Sequence, residues 1–355
     1  MSLSPGSRVG PYEVVAPIGA GGMGTVSPES AVLPITLGAF DGGYSYSALG
    51  HLLAFLPAGS DLKRRLAWYD RTGRSDGEIA VPDNAQGVEI APDASRAVFE
   101  VFEAGLSSRD LWLATLATGA TQKVVFTDAD EADAKWMPDS RTIVFGLRRD
   151  GAGPLVKLVL DSTEPTMPLE GFEAEEPQYP ASLSREGGVL AFMRGGFPFW
   201  MRLPRSKPEP LQGVAAGISR PSVSPDGRWL LYEGVSAGRR EVYVQPLPPT
   251  GARWPVSRDG GTWARWHPNG REIYFISPDD AMMAVSFQAA PTVQLSPPTR
   301  LFQTRIAQLT RSGVHATYDV APDGRFLIVE NTAPTEQSSS LRIIVNWQSL
   351  LPQAR

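Results

Sequence analysis

An all-β chain, folded as a seven-bladed β-propeller, is what three features of the sequence predict. The first is a turn, Ser224-Pro225-Asp226-Gly227-Arg228, that runs into the apolar strand Trp229-Leu230-Leu231-Tyr232. Pro225 presets the φ of a tight turn, Asp226 bonds back to its own turn backbone, and Gly227 supplies positive φ. The second is recurrence. The turn returns at Pro322-Asp323-Gly324, Pro268-Asn269-Gly270 and Pro138-Asp139-Ser140, more loosely at Pro92-Asp93, and in degenerate form at Arg185-Glu186-Gly187 and Ala48-Leu49-Gly50. The third is spacing. The proline positions 48, 92, 138, 185, 225, 268 and 322 are separated by 44, 46, 47, 40, 43 and 54 residues. A period near 45 residues in a strand-and-turn pattern is that of a four-stranded propeller blade.

Each blade begins on an inner strand, turns at the proline motif, and climbs into a second strand. Phe55, Phe99, Phe145, Phe192, Tyr232, Phe275 and Val329 stand seven places beyond the proline position. Third strands follow at Leu66–Tyr69, Leu111–Ala114, Leu155–Leu160, Phe199–Arg202, Val242–Val244 and Met282–Phe287. The expected blade spans are 42–81, 86–126, 132–169, 177–212, 217–256 and 262–303, with a seventh at the C-terminus. That last blade has three strands, at 315–320, 325–330 and 341–347, and needs a fourth. Val32–Leu37 is expected to supply it, so that strands from both ends close the ring. Seven turns predict seven blades; six is the alternative, if the two degenerate copies are not turns of this kind.

Composition narrows the functional classes. The 355 residues carry 33 Lys and Arg against 38 Asp and Glu, a net charge of −5, which gives no reason to expect nucleic acid. Apolar residues make up 42%, enough for a packed core, and the absence of cysteine excludes disulfides, thiolate metal sites and a Cys nucleophile. No apolar run has the length of a membrane span, and the N-terminus lacks a basic-then-apolar leader, so the expected location is cytoplasmic and the expected state a monomer. No Gly-x-Ser-x-Gly elbow occurs. His51, His267 and His315 are expected on separate blades or opposite ends, too dispersed for one site.

Residues 1–30 stand apart from the propeller at 31–349. Gly19, Gly21, Gly22, Gly24 and Val26 form Gly-x-Gly-x-x-Gly-x-Val, the pattern whose backbone amides close over ATP phosphates. With its flank Tyr12-Glu13-Val14-Val15, this stretch resembles the start of the catalytic domain of bacterial serine/threonine protein kinases. The resemblance stops at Val26: no His-Arg-Asp and no Asp-Phe-Gly follow anywhere. The expectation is a remnant loop that holds no ATP, so that the chain needs no cofactor and is not an enzyme. Residual nucleotide binding, or a relic without function, are the alternatives. The Pro-Asp-Gly turns resemble the PD40, or WD40-like, repeats of TolB-type propellers over roughly residues 32–347. In bacteria such propellers often follow kinase domains of this kind, so the two resemblances imply one origin, with an internal deletion joining them. They imply a sensory or scaffolding propeller that recognises a protein, peptide or small ligand at a channel mouth.

Two acidic connections are the candidate partner-binding surface: Asp128, Asp130, Glu131 and Asp133, then Glu173, Glu175 and Glu176. The first has the alternating carboxylates of a calcium loop but lacks its Gly and closing Glu, so no metal is expected. Trp136, Trp263 and Trp266 could wall a ligand site; the reading favoured here is that they wedge between blades, as large aromatics in such cores do.

Overall fold

The computed structural model describes residues 8–9, 12–13, 46–49, 52–55, 63–102, 108–149, 152–170, 172, 177–186, 188–203, 207–211, 219–306, 317–332 and 342–345. Among them there is no helix. The chain divides into two units, one of residues 61–334 and one of residues 1–60 with 335–355.

The larger unit is a six-bladed propeller. Blade I comprises Ala85–Ile90, Arg96–Phe102, Arg109–Thr115 and Thr121–Lys123, and blade II Asp130–Trp136, Thr142–Arg148, Leu155–Val159 and Met167–Pro168. Blade III follows with Gln178–Leu183, Val189–Arg194, Phe197–Arg202 and Glu209–Pro210, and blade IV with Ser219–Val223, Trp229–Ser236, Arg239–Pro246 and Trp254–Pro255. Blade V holds Thr262–Trp266, Glu272–Ile276, Ala281–Gln288 and Thr299–Gln303. Blade VI is composite: Tyr318–Val320 and Phe326–Asn331 are its inner strands, Arg64–Tyr69 and Ser75–Ala80 its outer ones. Every pairing is antiparallel, and each inner strand lies beside that of the next blade, with VI returning to I.

The expected seventh blade is not formed. By order along the chain, Leu66–Tyr69 is expected beside the hairpin at 46–55 and residues 341–347 beside the hairpin at 318–331. The structure exchanges them. Arg64–Tyr69 pairs with Phe326–Asn331, Leu66 opposite Val329. Arg342–Val345 pairs with Leu52–Phe55, in a separate three-stranded sheet of the smaller unit, with Tyr46–Leu49 on its other side. Side chains explain the choice. Glu330, fully buried, accepts from Arg65 Nε at 2.6 Å and from the Tyr69 hydroxyl at 2.7 Å. Arg325 stands 4.7 Å over the Trp68 ring and bonds Asp76 at 2.9 Å. Leu66 and Trp68 share a core with Leu327, Val329 and blade I. Strands from the two halves of the chain do close the ring, but they lie at 64–80; the strand expected at 32–37 falls outside the described residues.

The turns behave as their chemistry dictates. Gly227 N–H donates to Ser224 O at 2.9 Å, Asp226 Oδ1 accepts from Arg228 N–H at 3.1 Å, and Gly227 has φ 70°. The same Asx contact recurs from Asp93, Asp139, Asn269 and Asp323. Where glycine is missing, Ala94 and Ser140 still take φ of 56° and 55°. Between blades the faces are apolar: Trp136 packs with Val98, Leu111 and Ile143, and Trp266 with Leu231, Val244 and Phe275. Each such side chain contributes about 1.5–3 kcal/mol by leaving water.

Candidate functional site

The ring presents two mouths. One carries the proline turns between inner and second strands. The other carries the connections from each outermost strand to the next inner strand.

At the connection mouth, the first acidic run is turned inward rather than displayed. Asp130 accepts from Arg109 Nε at 2.9 Å and lies 2.6 Å from a nitrogen of Arg148. Asp133 is buried, with φ 62°, and donates its N–H to Glu100 at 2.8 Å. It occupies a bulge, a feature that blades I to V all carry on their inner strands. Trp263 is the same position of blade V, and donates its N–H to buried Glu233 at 2.8 Å. Glu131 is fully buried and accepts from the Thr127 hydroxyl; burial pushes its carboxyl up to about 7. Only Asp128 of this run is exposed. Glu173, Glu175 and Glu176 lie outside the described residues, as do Gly19, Gly21, Gly22, Gly24 and Val26, and His51 and His315.

At the turn mouth, residues from all six blades enclose a cavity of about 60 Å³. Aligning the blades on their turns shows how it is lined. The residue three places before each proline position is Glu89, Lys135, Ser182, Ser222, Arg265 and Asp319 in blades I to VI, and all but Lys135 line the cavity. The column is present in the sequence at a fixed offset from each proline position, but only the packed blades give it a common direction.

Most of the column stitches one inner strand to the next. Asp319 Oδ2 accepts the Ile90 N–H at 2.7 Å, Glu89 the Trp136 N–H at 3.1 Å, and Ser182 Oγ the Val223 N–H at 2.9 Å. Glu89 also lies 3.1 Å from Lys135 Nζ. The tryptophans add to the stitching, with indole N–H bonds from Trp136 to Glu89 O at 2.9 Å and from Trp266 to Ser222 O at 3.1 Å. Trp136, Trp263 and Trp266 are thus wedges between blades, as expected, and edges of Trp136 and Trp266 also reach the cavity. The Ser222 hydroxyl has no hydrogen bond among the described residues, and Arg265 is the charged exception. Among the described residues it has no hydrogen bond and no ion pair. Arg185 reaches the same cavity, held by one long bond of 3.4 Å to Pro92 O. His267, at the start of the blade V turn, accepts from Asn269 N–H at 3.0 Å, and burial lowers its pKa. Among the described residues no cluster of His, Asp and Glu has the arrangement of a metal site.

No protein-family model matches the chain, and no curated protein matches it. Solved structures match its fold. A protein of Agrobacterium tumefaciens assigned as TolB is 15% identical, with TM-score 0.59, over 78% of this chain and 100% of its own. Hydrazine synthase of Kuenenia stuttgartiensis is 12% identical, with TM-score 0.51, over 87% of this chain and 99% of its own. At such identities the likeness is one of fold, that of a TolB-like β-propeller.

Proposed function

We propose that this chain is a non-catalytic binding propeller, a sensory or scaffolding module that takes a protein, peptide or small ligand at its turn mouth. One observation carries the reading. Where six blades converge on a cavity, Asp319, Glu89 and Ser182 accept N–H groups of neighbouring blades, whereas the Arg265 guanidinium has no hydrogen bond and no ion pair among the described residues. An unpaired cation in a partly enclosed site is costly unless something else meets it. The fold likeness to a TolB-like propeller agrees with such a role. The glycine loop at 19–26 supports descent from a bacterial serine/threonine kinase that lost its catalytic core. An uninterrupted kinase reading frame between the codons for Val26 and Ser27 in the gene would contradict that descent.

The test is to narrow the mouth. Ser182→Leu and Ser222→Leu each place extra bulk in the cavity, and each must keep the wild-type melting behaviour. Native mass spectrometry after equilibration with cell extract reads the bound species. A species held by the wild-type protein and lost from both variants supports the reading. Equal retention by folded variants overturns it.

A further inference from the structure

We infer that a second cavity on the same mouth, between the turns of blades IV and V, seats a neutral sugar ring against the indole of Trp229. It adjoins the central cavity, sharing Pro225 and Pro268 with it, but contains none of the side chains that carry the binding reading above.

The repeated turns build its walls. Blade IV contributes Ser224, Pro225 and Asp226, and blade V contributes Pro268, Asn269 and Gly270. The two turns adjoin, since a Cβ at Gly270 would lie 3.8 Å from Pro225 Cδ. Blade III adds Glu186, whose N–H donates to Pro225 O at 2.9 Å and so fixes its backbone beside the blade IV turn. Asp226 and Asn269 each accept the N–H two places on, from Arg228 at 3.1 Å and Arg271 at 2.9 Å, which holds both turns in shape. The cavity they enclose measures about 550 Å³, inside the range of roughly 300–1,000 Å³ usual for small-molecule sites.

Its floor is aromatic and braced. Half-buried Trp229 lines it with Phe287, the ring centroids 5.2 Å apart at 72°. Trp254 meets Trp229 at 6.0 Å and 61°, and Trp266 meets Phe287 at 5.0 Å and 79°. Edge-to-face contacts of this kind are worth about 0.5–1.5 kcal/mol each, and they root the floor in the core between the two blades. A platform held in place beforehand loses little freedom when a ligand lands on it. Among the described residues the Trp229 indole N–H has no hydrogen-bond partner, so the ring brings an apolar body and a free donor to the cavity together.

The rim selects a neutral ligand rich in hydroxyls. Glu186 and Asp226 supply carboxylates, Arg271 a guanidinium, and Asn269 and Gln288 amides. Among the described residues the Glu186 and Arg271 side chains have no hydrogen bond and no ion pair, and Asn269 Nδ2 and Gln288 Oε1 have no partner. An anion is opposed by the carboxylates and a cation by Arg271. Hydroxyls meet both signs, because each can donate to Glu186, Asp226 or Gln288 and accept from Arg271, Asn269 or the indole. A pyranose joins such hydroxyls to a ring whose C–H face suits an aromatic floor. A proline-rich peptide suits the floor, but it offers only carbonyl acceptors to a rim that carries two carboxylates.

The experiment is 15N NMR of the indole signals on the full chain, the Trp229 signal being identified by its loss in Trp229→Phe. The probes are maltose, cellobiose, lactose and chitobiose, with methylguanidinium, acetate and a hexaproline peptide as the competing chemistries. At least one disaccharide is expected to shift the Trp229 signal saturably, the competing probes being inert or weaker. Glu186→Ala, at an exposed residue, is expected to weaken that disaccharide about tenfold by calorimetry, the loss of one hydrogen bond to a charged group, and Trp229→Phe is expected to weaken it as well. A Trp229 signal that ignores every disaccharide overturns the inference, as does tighter binding of a competing probe, or a Glu186→Ala protein that binds the sugar like wild type. If Trp229→Phe does not fold, calorimetry on wild type and Glu186→Ala decides alone. Ser222→Leu, which narrows only the central cavity, is expected to leave sugar binding unchanged; loss there would put the sugar in the central cavity and overturn this site. Sugar binding and retention of an extract ligand at the central cavity thus fail or stand separately.

Discussion

A covalent clasp across the composite blade tests the six-bladed closure directly. Arg64 and Asn331 are Cα partners in the pairing that shuts the ring, both half-buried at its rim. Their neighbours exchange the ladder bond, Thr332 N–H to Lys63 O at 2.8 Å, so Arg64 and Asn331 form the closer, non-bonded kind of pair. Such pairs hold Cα atoms about 4.5 Å apart, inside the range a disulfide spans. The chain has no cysteine, so Arg64→Cys with Asn331→Cys introduces a single possible bridge. It would close a loop of roughly 270 residues, for which the chain-entropy relation gives about 5–6 kcal/mol. Engineered bridges commonly deliver less, and the loss of the Arg64 bond to Ala85 O subtracts further, so about 2–4 kcal/mol is the expected gain. With an unfolding entropy of about 0.6 kcal/mol/K for a unit this long, that is a rise of roughly 3–7 °C. Calorimetry with and without reductant, beside a free-thiol count, reads both numbers. Free thiols that persist under oxidising conditions would refute the closure.

Two further outcomes follow from the same contacts. Gly146→Ala would place a Cβ 2.8 Å from Gln178 O, where backbone leaves no room, and about 1–3 kcal/mol of stability should be lost in urea melts; an unchanged midpoint would mean that blades II and III are not so closely packed. For Glu131, burial raises the folded carboxyl to about 7, above its unfolded value, so protonation favours the fold. Its contribution is full below about pH 4.5 and disappears as pH climbs to about 7. Glu131→Gln should therefore flatten the pH dependence of stability in that window, by about 1–2 kcal/mol. A wild-type and variant difference that is constant from pH 4.5 to 7 would contradict this assignment.

The repeated turn motifs carried the all-β class, the radial repeat and most strand positions, because a proline turn and the strand it launches are set by neighbours in sequence. Ala94 and Ser140 show how strong that local pattern is, since each accepts positive φ where the motif has glycine. The acidic run at 128–133 shows its limit. Composition suggests a displayed patch, whereas Arg109, Arg148, Glu100 and Thr127 draw most of it inward, and those contacts come from 4 to 33 positions away.

Blade number was a tertiary decision. Two apolar third strands, 64–69 and 342–345, suit either hairpin by pattern alone; buried Glu330, met by Arg65 and Tyr69, settles which one joins the ring. The channel column was likewise written in the chain, yet a lysine or arginine in it has no meaning until the neighbouring blade's N–H is known. A strand carries its own turn chemistry, but its partner is chosen by side chains that meet only when distant segments pack.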